Sequence, residues 1–368
     1  MEAIFDKGVK VFVFRAPEGD RRNLVKEKML EMASVEWTPD RDFSTCWKGV
    51  SEFPVGLEYK KGEIYRGVTY SKAHGDLYEF LSFLEKRGGV PVFVPNSPYY
   101  EELVGMHCSD CITMAYQHLA DFPFKGSLKP NSARGNALSF VRPIIKPEGD
   151  QYYCPDVLRI NSFNDVMEAY ANSNTGDVLF KKKNASSGHS RMVSERPIVV
   201  RDGESGLIDT EKSRIKTIEA TNEFDVTRKD CVKTTWWIDH EYTFAELYST
   251  FFLPVTFAPL SQKTPLSDAH LFYKGDNGTF DKIKNKLNGK IRTDFPLIFV
   301  KADIKDESGR SISYALGYRM MKDYFFDLSS LEFTRSPASL GKGKYVFTLC
   351  AGIARGCAEL ERFDFEII

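Results

Sequence analysis

The chain has 368 residues, 42% of them apolar and 27% charged, which is ordinary for a globular protein and predicts about two domains. Its 50 Lys and Arg nearly balance 51 Asp and Glu, so no strong field favours nucleic acid, and basic runs are as short as Lys181 to Lys183. Seven cysteines are too few for a disulfide scaffold and odd in number, and no apolar run nears the ~18 residues of a membrane span.

The opening "MEAIFDKGVKVFVFRAPEGD" has acids beside its Met and no long apolar stretch. It reads as a strand over Val9 to Phe14, not a signal peptide. Localisation stays open: the cell interior for the chain as written, outside it if a leader has been removed. A helix follows over Asn23 to Trp37, its stripe made by Val25, Met29, Met32 and Ala33 and its end set by Pro39. A second helix is predicted near Gly75 to Lys86, stopped by Gly88 and Gly89. "VPVFVPNSP" is extended, a third helix starts near Cys108, and 123–155 reads as irregular before a helix at Phe163 to Ala171.

From Gly176 the rhythm turns to strands, in "DVLFKK", "HSRMV", "RPIVVRD" and "SRIKTIEAT". "YTFAELYSTF" returns to helical spacing, and "LPVTFAPLSQKTP" reads as a linker. Beyond Ser267 the pattern is almost all strand, with alternation at Tyr345, Phe347 and Leu349 and again at Phe363, Phe365 and Ile367. The expected division is therefore 1–264, carrying the chemistry, and 265–368, a small all-β sandwich of immunoglobulin-like type. Tyr273 and Tyr318 are its candidates for stacking on a sugar, so a glycan or protein contact is expected of this segment if of any.

"GMHCSDCITMAYQHLAD" carries the chemistry. Cys108 and Cys111 form one C-x-x-C, but zinc needs a second ligand pair and none exists at metal spacing. A dithiol redox motif needs βαβ units that the region lacks. Cys111 shares a helical face with Ile112, Ala115, Tyr116 and Leu119 and is a core residue by position. Cys108 lies in the first turn, where unpaired N–H groups and the helix dipole favour a thiolate. A thiolate nucleophile needs an imidazole and a group to orient it. His107 points away from its neighbour and His118 lies too far along the helix, whereas His189 opens a strand. Glu219 shares a strand face with Ile215 and Thr217.

"HCSDCITMAY", "GDVLFKKKNASSGHSRMV" and "KTIEATNE" together resemble the nucleophile block, histidine strand pair and third-residue strand of the NlpC-type, papain-like cysteine peptidases of bacterial cell walls. The resemblance covers roughly Tyr65 to Pro254. It implies an α+β papain-like catalytic domain over 1–264, with helices added at its start. It also implies Cys108 as nucleophile, His189 as base and Glu219 as the orienting group. Ser109 would help at the oxyanion, and Tyr70, in "IYRGVTYS", would line the cleft. Two residues depart from the pattern, His107 for Asp and Asp110 for Gly. Asp110, at the substrate side, is expected to repel an acidic substrate or raise the thiol pKa.

The activity implied is hydrolysis of a peptidoglycan stem peptide at the γ-D-glutamyl bond to a diamino acid, with no cofactor and no metal. The same triad could instead pass its acyl group to an amine or lipid. A third possibility is an inert domain serving as a wall- or protein-binding scaffold.

Overall fold

A computed structural model describes residues 2–6, 8–48, 50–123, 127–132, 135, 137–230, 232–317 and 323–368. Among these residues the molecule is mixed α+β, with seven α-helices and mostly antiparallel sheets. Tyr318 and Cys231 lie outside the described residues.

The sheet that positions the chemistry has six strands in the order Trp236–Thr243, Arg214–Ala220, Gly188–Val193, Val178–Lys182, Leu253–Phe257 and Leu138–Phe140, antiparallel throughout. Val178, Leu179 and Phe180 are all buried, so this sheet is covered on both faces at its centre. The helix Cys108–Leu119 lies on the strands Gly188–Val193 and Arg214–Ala220. Every residue of it except His118 is buried, because the helix Arg21–Ser34 packs against it as well. Val25, Met29, Met32 and Ala33 face this core, as the stripe predicts.

Several elements differ from expectation for identifiable reasons. The first helix stops at Ser34, and Trp37 sits in the short strand Glu36–Pro39. There its ring is boxed by Tyr59, Tyr65, Phe80 and Phe93 at centroid distances of 5.1–5.7 Å, burial that one more helical turn would not give. Gly88 and Gly89, both at positive φ, turn a hairpin between Leu84–Arg87 and Val90–Phe93, so the preceding helix is only Leu77–Ser82. "RPIVVRD" forms isolated bridges, Ile198 with Arg214 and Arg201 with Ile208. "LPVTF", expected as linker, is the strand Leu253–Phe257. The stretch expected to be irregular holds the strand Leu138–Phe140 and the start of the helix Cys154–Ile160.

The 265–368 segment is all β apart from short helical turns. Its strands join one hydrogen-bonded sheet of eight, not two separate ones, because the 17-residue strand Lys290–Asp306 changes partners along its length. Two of the eight come from the other end of the chain. Val9–Phe14 pairs with Ala269–Lys274, and Phe12 and Phe14 enter that segment's core. Tyr273 is buried there, bonded to Glu361 and Asn277, and so is no sugar platform. Arg355, in the turn before Gly356–Ile367, reaches back to the end of the cysteine helix. Its Nε and Nη2 donate to the carbonyls of His118 (2.8 Å) and Leu119 (2.7 Å), and its Nη1 to that of Ser267 (2.6 Å).

Gly67 joins the first aromatic cluster to the central sheet. Trp37 Nε1 donates to its carbonyl at 2.8 Å, while Trp236 Nε1 donates to the next carbonyl, Val68, at 2.9 Å. Its φ is +88°, and a Cβ there would overlap the Trp236 indole. Gly67→Ala is therefore expected to cost about 3 kcal/mol, roughly 1 from backbone strain and roughly 2 from overpacking. The shift in denaturant midpoint at constant m-value measures it.

Candidate active site

The site begins with the backbone before the cysteine. Met106 N–H donates to the Thr69 carbonyl (3.0 Å) and Ser71 N–H to the Met106 carbonyl (3.2 Å), so the Tyr70 segment runs alongside the approach to the helix. Gly105 permits this contact, since a Cβ there would strike the Thr69 carbonyl and the Thr69 and Ser71 hydroxyls. His107 is the N-cap and Cys108 the first helical residue. Asp110 and Cys111 N–H groups bond back to the His107 carbonyl, while those of Cys108 and Ser109 have no acceptor among the described residues.

The sequence-expected triad is brought together. Cys108 and His189 lie close enough that each shifts the other's titration, and the Ser190 backbone N–H also favours the thiolate. His189 Nε2 bonds Glu219 Oε2, which leaves Nδ1 as the ring nitrogen for the sulfur. Glu219 is 2% exposed and has two further donors, Arg191 Nε to Oε2 (2.8 Å) and the Tyr242 hydroxyl to Oε1 (2.7 Å). Arg191 is itself clamped between the rings of Tyr242 (3.8 Å) and Phe252 (4.2 Å).

The charges favour an ion pair. Burial pushes the Cys108 thiol up, but the His189 charge and hydrogen bond outweigh it, aided by His107, and the thiol falls below its ordinary value. Burial likewise opposes charge on His189, and Cys108 and Glu219 overcome it to raise the imidazolium pKa. Glu219 is lowered to about 2, since bonds and charge from His189, then Arg191, exceed the burial penalty. Cys111 is fully buried, its thiol pushed up by burial and donating to the Cys108 carbonyl at 3.1 Å. It is a core residue.

Tyr70 belongs to the site: its ring stacks on Tyr100 at 5.9 Å, it lines the cleft beside His189, and Cys108 acts on its hydroxyl electrostatically. Ser109 is buried beside Cys108 in the first turn. Asp110 differs from expectation. It is fully buried, turned from the cleft, and held between two histidines, His74 Nδ1 at 3.0 Å and His107 Nδ1 at 2.8 Å. The His107 contact is an ion pair without hydrogen-bond alignment. These imidazoles overcome burial and hold the Asp110 carboxyl well below the usual range, so its charge is answered locally. Burial opposes and Asp110 imposes a raised His107 pKa, to about 9. Positive charge on His107 thus stands next to Cys108. Ligating atoms of His74, His107 and Asp110 lie within 4.8 Å of one another, the one such group of three among the described residues.

A cleft of about 400 Å³ opens at His189 and Glu219, lined also by Tyr70, Tyr100, Lys181, Arg191, Glu223, Trp237 and Tyr242 among others. Arg191, Tyr242 and Lys181 escaped the sequence reading. Arg191 was within reach of it, because the residue two beyond His189 on a strand shares its face.

Removing His189 raises the thiol pKa, since the group that stabilised the thiolate is gone. Thiolate absorbance titration of single-cysteine variants keeping Cys108 is expected to show a midpoint below ~8.5. In His189→Asn the midpoint rises above that of the parent. Glu219→Gln lowers the imidazolium pKa and so lies between the two. Unchanged midpoints would contradict the ion pair.

Compared with protein-family models, with curated proteins and with solved structures, the chain finds no match.

Proposed function

We propose that this chain is a papain-like cysteine hydrolase of amide bonds, with Cys108 as nucleophile, His189 as base and Glu219 as the group that orients the ring. The observation that carries the proposal is the unbroken series from sulfur to imidazole to a buried carboxylate with two further donors. A lone buried Glu would cost several kcal/mol, and this one is compensated on all sides.

In the reaction the Cys108 thiolate adds to the amide carbonyl. The developing oxyanion takes the free N–H groups of Cys108 and Ser109 at the helix start. His189 passes its proton from Nδ1 to the leaving amine, the C–N bond breaks, and a thioester remains. Neutral His189 then takes a proton from water as its oxygen adds to the thioester, and loss of the thiolate releases the acid. Glu219 keeps Nε2 protonated through both steps.

The cleft joins aromatic walls to charged groups of both signs, which suits a short peptide carrying charges near the cut bond. With the resemblance of its three blocks to the NlpC-type peptidases, we take a peptidoglycan stem peptide as substrate and the γ-D-glutamyl bond to a diamino acid as the bond cut.

Incubation with defined tri- and tetrapeptide stems, products identified by mass, tests both parts. Cleavage after D-glutamate is expected, falling at least about 10³-fold in Cys108→Ala, whose circular dichroism matches the parent. Equal turnover by Cys108→Ala would remove the nucleophile. Cleavage elsewhere in the peptide would keep the mechanism and change the substrate.

A further inference from the structure

Most charged groups of the cleft are held in contact pairs. Cys108 and His189 form one pair and Glu219 and Arg191 another, and Arg191 is fixed further by its two aromatic neighbours. Lys181 is left over. It sits on the strand Val178–Lys182 directly opposite His189 on Gly188–Val193, so both side chains leave the sheet on the same face. Its ammonium lies 4.9 Å from the Phe252 ring centroid and lines the same cleft as His189. No carboxylate lies within ion-pair distance of it among the described residues, and Glu223, exposed on the cleft wall, does not reach it.

We propose that Lys181 is the specificity residue of the cleft, binding a carboxylate that the substrate carries close to the bond Cys108 attacks. The inference rests on Cys108 as nucleophile and adds a requirement which that assignment alone does not make. Burial first, and then the nearby Arg191 and Lys183 charges, hold the Lys181 pKa down. An anion bound at this point relieves that crowding, whereas a neutral group leaves it unanswered. Arg191 cannot take the role without releasing Glu219, and His189 cannot without leaving the sulfur. A stem peptide meets the requirement, as does any acidic peptide with a carboxylate near its scissile amide.

The test needs no identified substrate. N-iodoacetyl derivatives of glycine, β-alanine and 4-aminobutyrate are each compared with the matching uncharged carboxamide as alkylating agents of Cys108, followed by intact mass. Within a pair the electrophile is the same and only the carboxylate differs. For at least one chain length the acid is expected to react about tenfold or more faster than its amide, after normalising to glutathione. Lys181→Met, its circular dichroism matching the parent, should bring that ratio to about one. Lys181→Arg should keep a preference for the acid. A ratio near one at all three lengths, or a preference that survives Lys181→Met, overturns the proposal. The amide rate alone reports the nucleophile: slow reaction there defeats that assignment, while the ratio still judges Lys181.

Discussion

Everything at the candidate site depends on keeping one carboxylate ionised in a nearly dry place. Glu219 is almost wholly buried, and an unanswered charge there would protonate or unfold its surroundings. Three donors prevent this, and they come from the two strands that flank its own: His189 and Arg191 from Gly188–Val193 and Tyr242 from Trp236–Thr243, with Glu219 between them on Arg214–Ala220. The carboxylate therefore fixes the register of its own sheet. It also transmits order outward, since the ring that it holds is the one that meets the sulfur.

The opposite wall solves a second electrostatic problem. An acid at Asp110, two residues beyond Cys108, would oppose thiolate formation there if its charge were open. His74 and His107 enclose it, and His107 then presents positive charge toward Cys108. His107 and Asp110 thus act together at one helix start, the acid buried and the base turned toward Cys108.

That Cys108, His189 and Glu219 would come together was legible because each lies in a local pattern: a helix start, a strand start after a turn, an alternating strand. So were the stripe of Arg21–Ser34 and the core role of Cys111. What was missed depends on partners distant in sequence. Leu253–Phe257 carries a proline and reads as linker, yet it is sandwiched between two strands that lie far away in the chain. Trp37 leaves its helix for an aromatic box built from four separate segments. Tyr242 belongs to the site only because its strand pairs with that of Glu219, which no local pattern announces.

The pairing of Phe14 with Ala269 sets the chain's history as well as its shape. The segment carrying the site leaves one sheet and returns to it at neighbouring points, like a parenthesis within a sentence. During synthesis its own sheet has every strand in hand before the outer sheet has most of its own, so the strand Val9–Phe14 must wait, edge unsatisfied, for more than two hundred residues to emerge. Closing so long a loop is slow but adds little entropic penalty if the interior has already condensed. The inner unit is thus built to mature first, and the outer sheet to close behind it.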